Sequence, residues 1–322
     1  MNRASIVICT CNRAEALDRL LASILRQQSG LAFEIIVVDN HPASGSTAEL
    51  KTKFPQVRWI EEPRSGVSFA RNAGVRAATS EVVVFVDDDM EVSPGWLDAI
   101  VGPIFMQSCD VVLGTVSPVR VESEAERLFE AYGAHGHQRS PARFDASWLR
   151  RRGWSLPLWQ VGGIGNSAIR RSLFDDHRVG LFEEALGGGS PAGSWEDLYL
   201  LYRLLRADRI ILREPAASVK HAHRDTMDAL ARQLCEYRRG EVCFCLLVLF
   251  RHRDPRALFH LWLWIPAWRA NLFVAELGRR FRGQRLFPLR LMLREWSGYA
   301  SGPVALIASM RRAARLRARA PH

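Results

Sequence analysis

The stretch Glu81-Val-Val-Val-Phe-Val-Asp-Asp-Asp89 sets the character of the chain. Its apolar core, residues 82–86, has four β-branched side chains and one aromatic, which predicts a strand buried on both faces. The run then meets Asp87, Asp88 and Asp89. Three adjacent carboxylates repel one another, and removing them from water is costly unless a cation or a donor compensates. Hard divalent ions take oxygen ligands and often complete their shell with substrate phosphates. In open α/β sheets, ligands sit beyond the carboxyl ends of the strands, where this triplet falls. The plain alternative is a solvated acidic turn or a helix N-cap, since Ser93-Pro94 could start a helix.

The residues upstream favour a site. Residues 4–10 form an apolar strand that breaks at Cys11-Asn12-Arg13. Leu17, Leu20, Leu21, Ile24 and Leu25 then follow at helical spacing. Residues 33–38 repeat the buried-strand pattern and end at Asp39-Asn40. A loop over 42–45 and a weak helix to Phe54 come next, then a third strand over 57–60. Residues 66–78 read as a helix that leads into the acidic strand. This strand–helix alternation predicts an α/β domain with a largely parallel sheet.

Downstream, residues 110–119 are a strand candidate. Residues 122–160 have no steady periodicity and are expected to be partly mobile. A glycine-rich turn over 161–166 precedes residues 167–174, a strand plus a helix start. Residues 186–193 hold four glycines and predict a flexible loop that delivers Trp195-Glu196-Asp197 to a helix over 198–205. Residues 209–212 and 216–220 read as two short strands. His221 and His223 stand at the exit of the second, two apart and hence on one face.

A chain of 322 residues suits one large domain, or one domain with an appendage. Its 48% apolar and 24% charged residues are ordinary for a globular protein. No signal peptide is legible, because the first apolar run is too short. The six cysteines form no CxxC pair, which points to buried thiols in a reduced compartment and away from a disulfide scaffold or zinc site. The net charge of +10 is uneven. From His221 onward there are 19 Arg and no Lys against 7 acidic residues, a net of +12, whereas residues 1–220 carry a net of −2.

Taken together, the motifs resemble those of family 2 glycosyltransferases of the GT-A fold. The resemblance is carried by Thr10-Cys-Asn-Arg13, Val37-Val-Asp-Asn40, Gly66-Val-Ser-Phe-Ala-Arg-Asn-Ala-Gly74 and Asp87-Asp-Asp89. The segment from Gly165-Asn166 to Arg171 and Trp195-Glu-Asp197 extend it. Within that family the chain is most similar to bacterial exopolysaccharide or cell-wall sugar transferases, including the succinoglycan glucosyltransferase type. The resemblance covers residues 4–224. It implies a mixed, mostly parallel central sheet flanked by helices, in a catalytic domain over 1–224; residues 225–322 are read separately, as an Arg- and aromatic-rich helical appendage. It also implies an inverting, metal-dependent transfer from a nucleotide-sugar to a glycan or lipid-linked acceptor.

By that resemblance, Asp39 accepts a hydrogen bond from the nucleotide base, and Thr10, Asn12 and Arg13 line the base and ribose pocket. Arg71 and Asn72 approach the diphosphate or order the site, and arginine suits phosphate because its planar fork presents several donors. Asp87 and Asp88 contact the ribose, the sugar or the second shell. Asp89 ligates Mn²⁺ or Mg²⁺, with His221 favoured over His223 to complete the shell. The metal would neutralise charge as the nucleoside diphosphate departs. Asp197 is the expected general base, kept ionised by the helix N-terminus it starts. Glu196 would orient the acceptor or the loop, and Trp195 would stack on a sugar or simply join the core.

The region after residue 224 lies beyond the family pattern. Its apolar runs, residues 242–250 and 261–268, are too short to span a bilayer. Yet Trp262, Trp264, Trp268 and Phe273 lie among Arg253, Arg256, Arg269, Arg279 and Arg280, the makeup of helices that lie in a membrane interface. Packing on the catalytic domain or on a second subunit, giving a homo-oligomer, is the equal alternative. The expected setting is cytoplasmic, peripheral at the inner face of the plasma membrane. An oxidoreductase is disfavoured because no GxGxxG follows the first strand. A metal-dependent nucleotidyltransferase would not need Trp195-Glu-Asp197. A nucleic-acid-binding protein would rest on the basic tail alone, whose aromatics sit in apolar runs, so no nucleic acid is expected.

Overall fold

The computed structural model describes residues 3–132, 140–281 and 288–319. The first third is built as the alternation predicts. It comprises β1 (Arg3–Thr10), α1 (Ala14–Leu25), β2 (Ala32–Asp39), α2 (Ala48–Lys53), β3 (Arg58–Glu61), α3 (Val67–Ala77) and β4 (Val82–Val86). β1 pairs in parallel with β2 and β4, and β2 with β3, so their carboxyl ends share one edge. Every residue of β4 is buried, as an all-apolar run covered on both faces must be.

The middle of the chain closes the sheet. It adds β5 (Met90–Val92), α4 (Trp96–Phe105), β6 (Val111–Pro118), α5 (Glu124–Tyr132), β7 (Ala142–Phe144), α6 (Ala146–Arg151), β8 (Asn166–Arg170), α7 (Glu196–Arg206) and β9 (Ile211–His221). The nine strands run in the order β3-β2-β1-β4-β8-β6-β9-β5, with β7 added on β9. β8 is antiparallel to both β4 and β6, which makes the sheet mixed.

Three local expectations change. The two short strands over 209–220 are one strand, β9, which pairs with β6 across a register shift: Gly114 faces Glu214, but Thr115 faces Ser218. Pro215 has no N–H to donate, so the chain bulges there and then resumes pairing. The loop over 186–193 is anchored, with Leu186 and Ala192 buried. Gly188 accepts from Val67 N at 2.9 Å, and Ala192 N donates to Ser309 Oγ at 2.9 Å. Its glycines lack side chains, but hydrogen bonds to Val67 and Ser309 pin the loop near both ends. Within 122–160, whose sequence shows no steady periodicity, α5, β7 and α6 form. The Asp145 carboxylate caps α6 by accepting from Trp148 N at 2.9 Å. Residues 133–139 of that segment lie outside the described residues.

The last part contains α8 (Met227–His252), α9 (Arg256–Phe259), a π-helical turn (His260–Trp264), α10 (Ile265–Phe281) and α11 (Leu289–Ala318). The apolar run in α8 joins the main core: Phe244 packs on Trp195 with ring centroids 5.0 Å apart, and Leu247 and Val248 are buried beside it. Tyr202 donates to Asp254 at 2.7 Å. The buried His260 accepts from Leu156 N through Nδ1 at 3.3 Å and meets Glu241 through Nε2 at 3.1 Å. Burial, aided by Arg238, pushes His260 down to about 3, so its imidazole is neutral. Among the described residues, no helix is long and apolar enough to cross a membrane.

Candidate active site

The carboxyl edge of the parallel strands gathers the acidic residues. Thr10 pairs level with Asp39 across β1 and β2, and β4 delivers Asp87, Asp88 and Asp89 beside them. The buried Asp39 carboxylate accepts from His41 N at 2.9 Å and from Thr47 Oγ1 at 2.7 Å, which fixes its orientation. Asn12 sits at φ 57 and meets His41 Nδ1 at 3.1 Å.

Each aspartate of the triplet has a different environment. Asp88 is buried, accepts from Thr10 Oγ1 at 2.8 Å and from Arg13 at 3.0 Å. Burial outweighs these partners and pushes its carboxyl up to about 6. Asp89 lies 2.7 Å from Arg13 and 3.4 Å from His221 Nε2. Burial works against its charge, but the His221 hydrogen bond and the charges of His221, Arg13 and Arg224 hold it down at about 2. Asp87 is the most open of the three, its side chain 42% exposed, and it receives Arg71 at 3.0 Å.

Arg71 carries the site across to the other acidic motif. Its second arm donates to Glu196 Oε1 at 2.6 Å, while the guanidinium itself is buried. Burial would favour losing its proton, yet Asp87 and Glu196 more than offset this and raise its proton affinity. Asp197 follows at the start of α7. Burial, reinforced by the neighbouring Glu196 charge, pushes its carboxyl up to about 7.

The glycine-rich turn forms the floor. A methyl group on Gly165 would overlap the Asp87 carboxylate, and one on Gly163 would come to 3.2 Å from Asp197 Oδ2. Asn166 locks that turn in place: its amide donates to Thr115 O at 3.1 Å and Ala217 O at 2.9 Å, and it accepts from Trp96 Nε1 at 2.9 Å. Only the absence of side chains at 163 and 165 lets two acidic motifs stand this close to one turn.

His221 and His223 keep their rings in contact, centroids 5.6 Å apart, but take different acidic partners. The β5–β9 ladder pairs His221 with Met90, which sets its imidazole against Asp89. His223 is buried, meets Glu130 at 2.7 Å and packs edge-on against Phe129. Asp89 and His221 thus offer one oxygen and one nitrogen donor, a set that fits a hard divalent ion completed by phosphate and water. Among the described residues no group of three such side chains stands ready.

Several of the expected residues are engaged by other protein groups. Arg13 and Thr10 bond the aspartates of the triplet. Asn72 is buried, bonding Phe182 N and O and Glu184, so it ties α3 to the 182–184 segment. Trp195 lies against Phe244 with 8% exposure, in the core. Tyr237 of α8 was missed: burial and the nearby Asp197 charge, against the help of Gln233, raise it to about 12. Nothing in its spacing, within a region without recognisable motifs, marks it as a neighbour of Asp197.

Residues 5–178 match the sequence model described as Glycosyl transferase family 2. The chain belongs to that family. A pre-mycofactocin glycosyltransferase of Mycobacterium tuberculosis is 31% identical to this family 2 chain over 235 residues. That match covers 71% of this chain and 45% of the relative, so the chain spans about half that relative's length. Succinoglycan biosynthesis protein ExoO of Rhizobium meliloti is 27% identical over 256 residues, covering 73% of this chain and 72% of ExoO. Among solved structures, S. aureus TarS 1–349 in complex with UDP-GlcNAc superposes with a TM-score of 0.57 at 17% identity, covering 81% of this chain and 72% of that 1–349 chain. The architecture is accordingly the GT-A fold.

Proposed function

We propose that this chain is an inverting glycosyltransferase. It takes a sugar from a nucleotide-sugar and passes it to a hydroxyl of a glycan or lipid-linked acceptor. One observation carries the reading: Arg71 joins Asp87 to Glu196, bringing the triplet and Asp197 into one site. The family membership supports the reaction class, and the UDP-GlcNAc complex of TarS supports UDP-sugars as the first donors to try.

In this mechanism Asp39 hydrogen-bonds the base, since a carboxylate with two partners retains lone pairs. Asp87 is open enough to hold the ribose or sugar hydroxyls while Arg71 fixes it. Asp197 accepts the proton of the acceptor hydroxyl as its oxygen bonds the anomeric carbon. The bond from that carbon to the diphosphate breaks, and the nucleoside diphosphate leaves. A carboxylate raised to about 7 is well matched to this proton transfer near neutral pH. Asp89 and His221 would hold Mn²⁺ or Mg²⁺, which when bound supplies Lewis-acid neutralisation of the diphosphate charge. Glu196, fixed by Arg71, keeps the start of α7 in register.

Calorimetry with a panel of nucleotide-sugars and Mn²⁺, followed by assay of nucleoside diphosphate release, tests the reading. Binding of one donor and release of its diphosphate is the expected result. Pyrophosphate release from nucleoside triphosphates, with no sugar donor bound, would identify a nucleotidyltransferase instead.

A further inference from the structure

The C-terminal helices leave an apolar surface that the catalytic site does not use. Over residues 262–275, every exposed side chain is uncharged, and Trp262 (65%), Leu263 (59%) and Val274 (64%) are the most open of its large apolar groups. The one charged residue in that span, Arg269, is buried against Glu295. That ion pair joins α10 to α11, and the bond from Tyr299 to Leu261 O, 2.6 Å, ties the preceding π-helical turn to α11 as well.

On α11 the inner side is fixed by close packing: Gly298 lies on Cys235 and Gly302 on Val242, both in α8, and Ser309 receives Ala192. The residues on the opposite side, at steps of three and four, are Leu293, Trp296, Ala300, Val304 and Ile307, all exposed. The same stripe is bracketed by Arg290 and Arg294 before it and by Arg311 and Arg315 after it, also exposed. Residues 256–319 hold 13 Arg and 2 Glu, and one of those glutamates, Glu295, is buried. Trp264 and Trp268, by contrast, turn inward, stacked on each other 5.7 Å apart with Trp264 against His260. The side chains of Arg279 and Arg280 lie outside the described residues.

We propose that the outer faces of α10 and α11 dock on an anionic lipid surface. An apolar helical face with arginine at both ends is the pattern of a helix lying in the headgroup boundary, its apolar residues buried shallowly and its cations among acidic headgroups. A second copy of the chain fits less well. Mating this stripe with itself in either direction sets arginine against arginine, with almost no acid to compensate. This docking goes beyond the transfer reaction and does not depend on it. It has a structural consequence nonetheless: α11 also holds the loop that leads to Glu196 and Asp197, through Ser309, and the turn before α3, through Arg312, which donates to Ser65 O at 2.6 Å.

Flotation of the full chain with vesicles tests the proposal without any activity readout. Vesicles of equal parts phosphatidylcholine and phosphatidylglycerol should carry the protein up the gradient. Partition onto phosphatidylcholine alone should be at least about tenfold weaker, and salt should release the bound protein. Two double variants probe the two halves of the surface: Leu263→Glu with Val304→Glu, and Arg311→Glu with Arg315→Glu. Each should lower binding about tenfold or more while circular dichroism and melting stay as in the parent, because all four side chains are exposed. Absence of parent binding, equal binding to neutral vesicles, or unchanged binding of both variants would overturn the proposal. So would a dimer, seen by light scattering, that the Leu263→Glu, Val304→Glu pair dissociates, since the face would then belong to a second copy.

Discussion

Arg71 and Glu196, 125 positions apart, are joined by a hydrogen bond of 2.6 Å between buried side chains. The other arm of the guanidinium reaches Asp87, so one cation compensates a carboxylate from each acidic motif. Removing it leaves the buried Glu196 without its cation and frees Asp87 beside it. Arg71→Met should therefore destabilise the protein by about 3–5 kcal/mol, read from urea denaturation. Arg71→Lys should fall between the two, because a lysine keeps the charge but lacks the fork. A Met variant that unfolds with the parent would mean that Arg71 is not the strut between the motifs.

Asp197→Asn should lower transfer about 10²–10⁴-fold while leaving nucleotide-sugar affinity intact by calorimetry. In the parent, kcat/KM should fall with acid below an apparent pKa of about 7, where burial beside the Glu196 charge places Asp197. The stability effect has the opposite sense. Because folding raises this carboxyl from 3.8 to about 7, the fold favours the protonated acid. Its contribution is complete below the unfolded pKa and is lost as pH rises through about 7. Relative to the parent, Asp197→Asn should thus gain stability on going from acid to mildly alkaline buffer. A parent and variant that melt in parallel across that range would rule out the raised pKa.

Most of the donor half of the fold was legible because its signals are local. A run such as residues 82–86 has few ways to be buried, and an acidic triplet after it has few ways to be compensated. The glycine-rich turn was visible too, though not that Gly165 makes room for Asp87. What stayed hidden depends on distant packing. Trp195 is followed by two site acids, yet its ring belongs to the core because α8 brings Phe244 against it, a pairing across 49 positions. The 186–193 loop looked loose because glycine content reports side-chain absence, not the hydrogen bonds that α3 and α11 provide. The tail's sequence leaves membrane and protein packing as equal alternatives, and only the distant packing shows that Phe244, Leu247 and Val248 share the main core. Cutting the chain before α8 would expose that core, so surface substitutions are the sounder probe of the tail.

Asp89 and His221 can be separated from the rest of the triplet by their response to Mn²⁺. Calorimetry of nucleotide binding with and without the ion should show a clear gain in the parent. Asp89→Ala should abolish the gain, and His221→Ala should weaken it by about tenfold or more, since each removes one of the two proposed donors. His223→Ala, which loses contacts to Glu130 and Phe129, should lower stability and leave the Mn²⁺ response unchanged. An Asp89→Ala protein with the parent's Mn²⁺ response would remove Asp89 from the metal shell.

The two floor glycines predict a split between donor binding and turnover. Neither Gly163 nor Gly165 has a positive φ, so alanine is acceptable to the backbone at both positions and the fold should persist. At 165 the added methyl would overlap Asp87, whose own N–H is bonded to Gly165 O at 3.0 Å, leaving the side chain to move while the backbone stays. Asp87 would then leave Arg71, and nucleotide-sugar affinity should drop about tenfold or more. At 163 the methyl would sit 3.2 Å from Asp197 Oδ2, close enough to displace it by a few tenths of an ångström. Gly163→Ala should accordingly reduce kcat while KM for the donor holds, the mark of an interaction made in the transition state. If both alanines instead changed KM and kcat in the same proportion, the turn would be a general support for the site with no separate hold on its two acids.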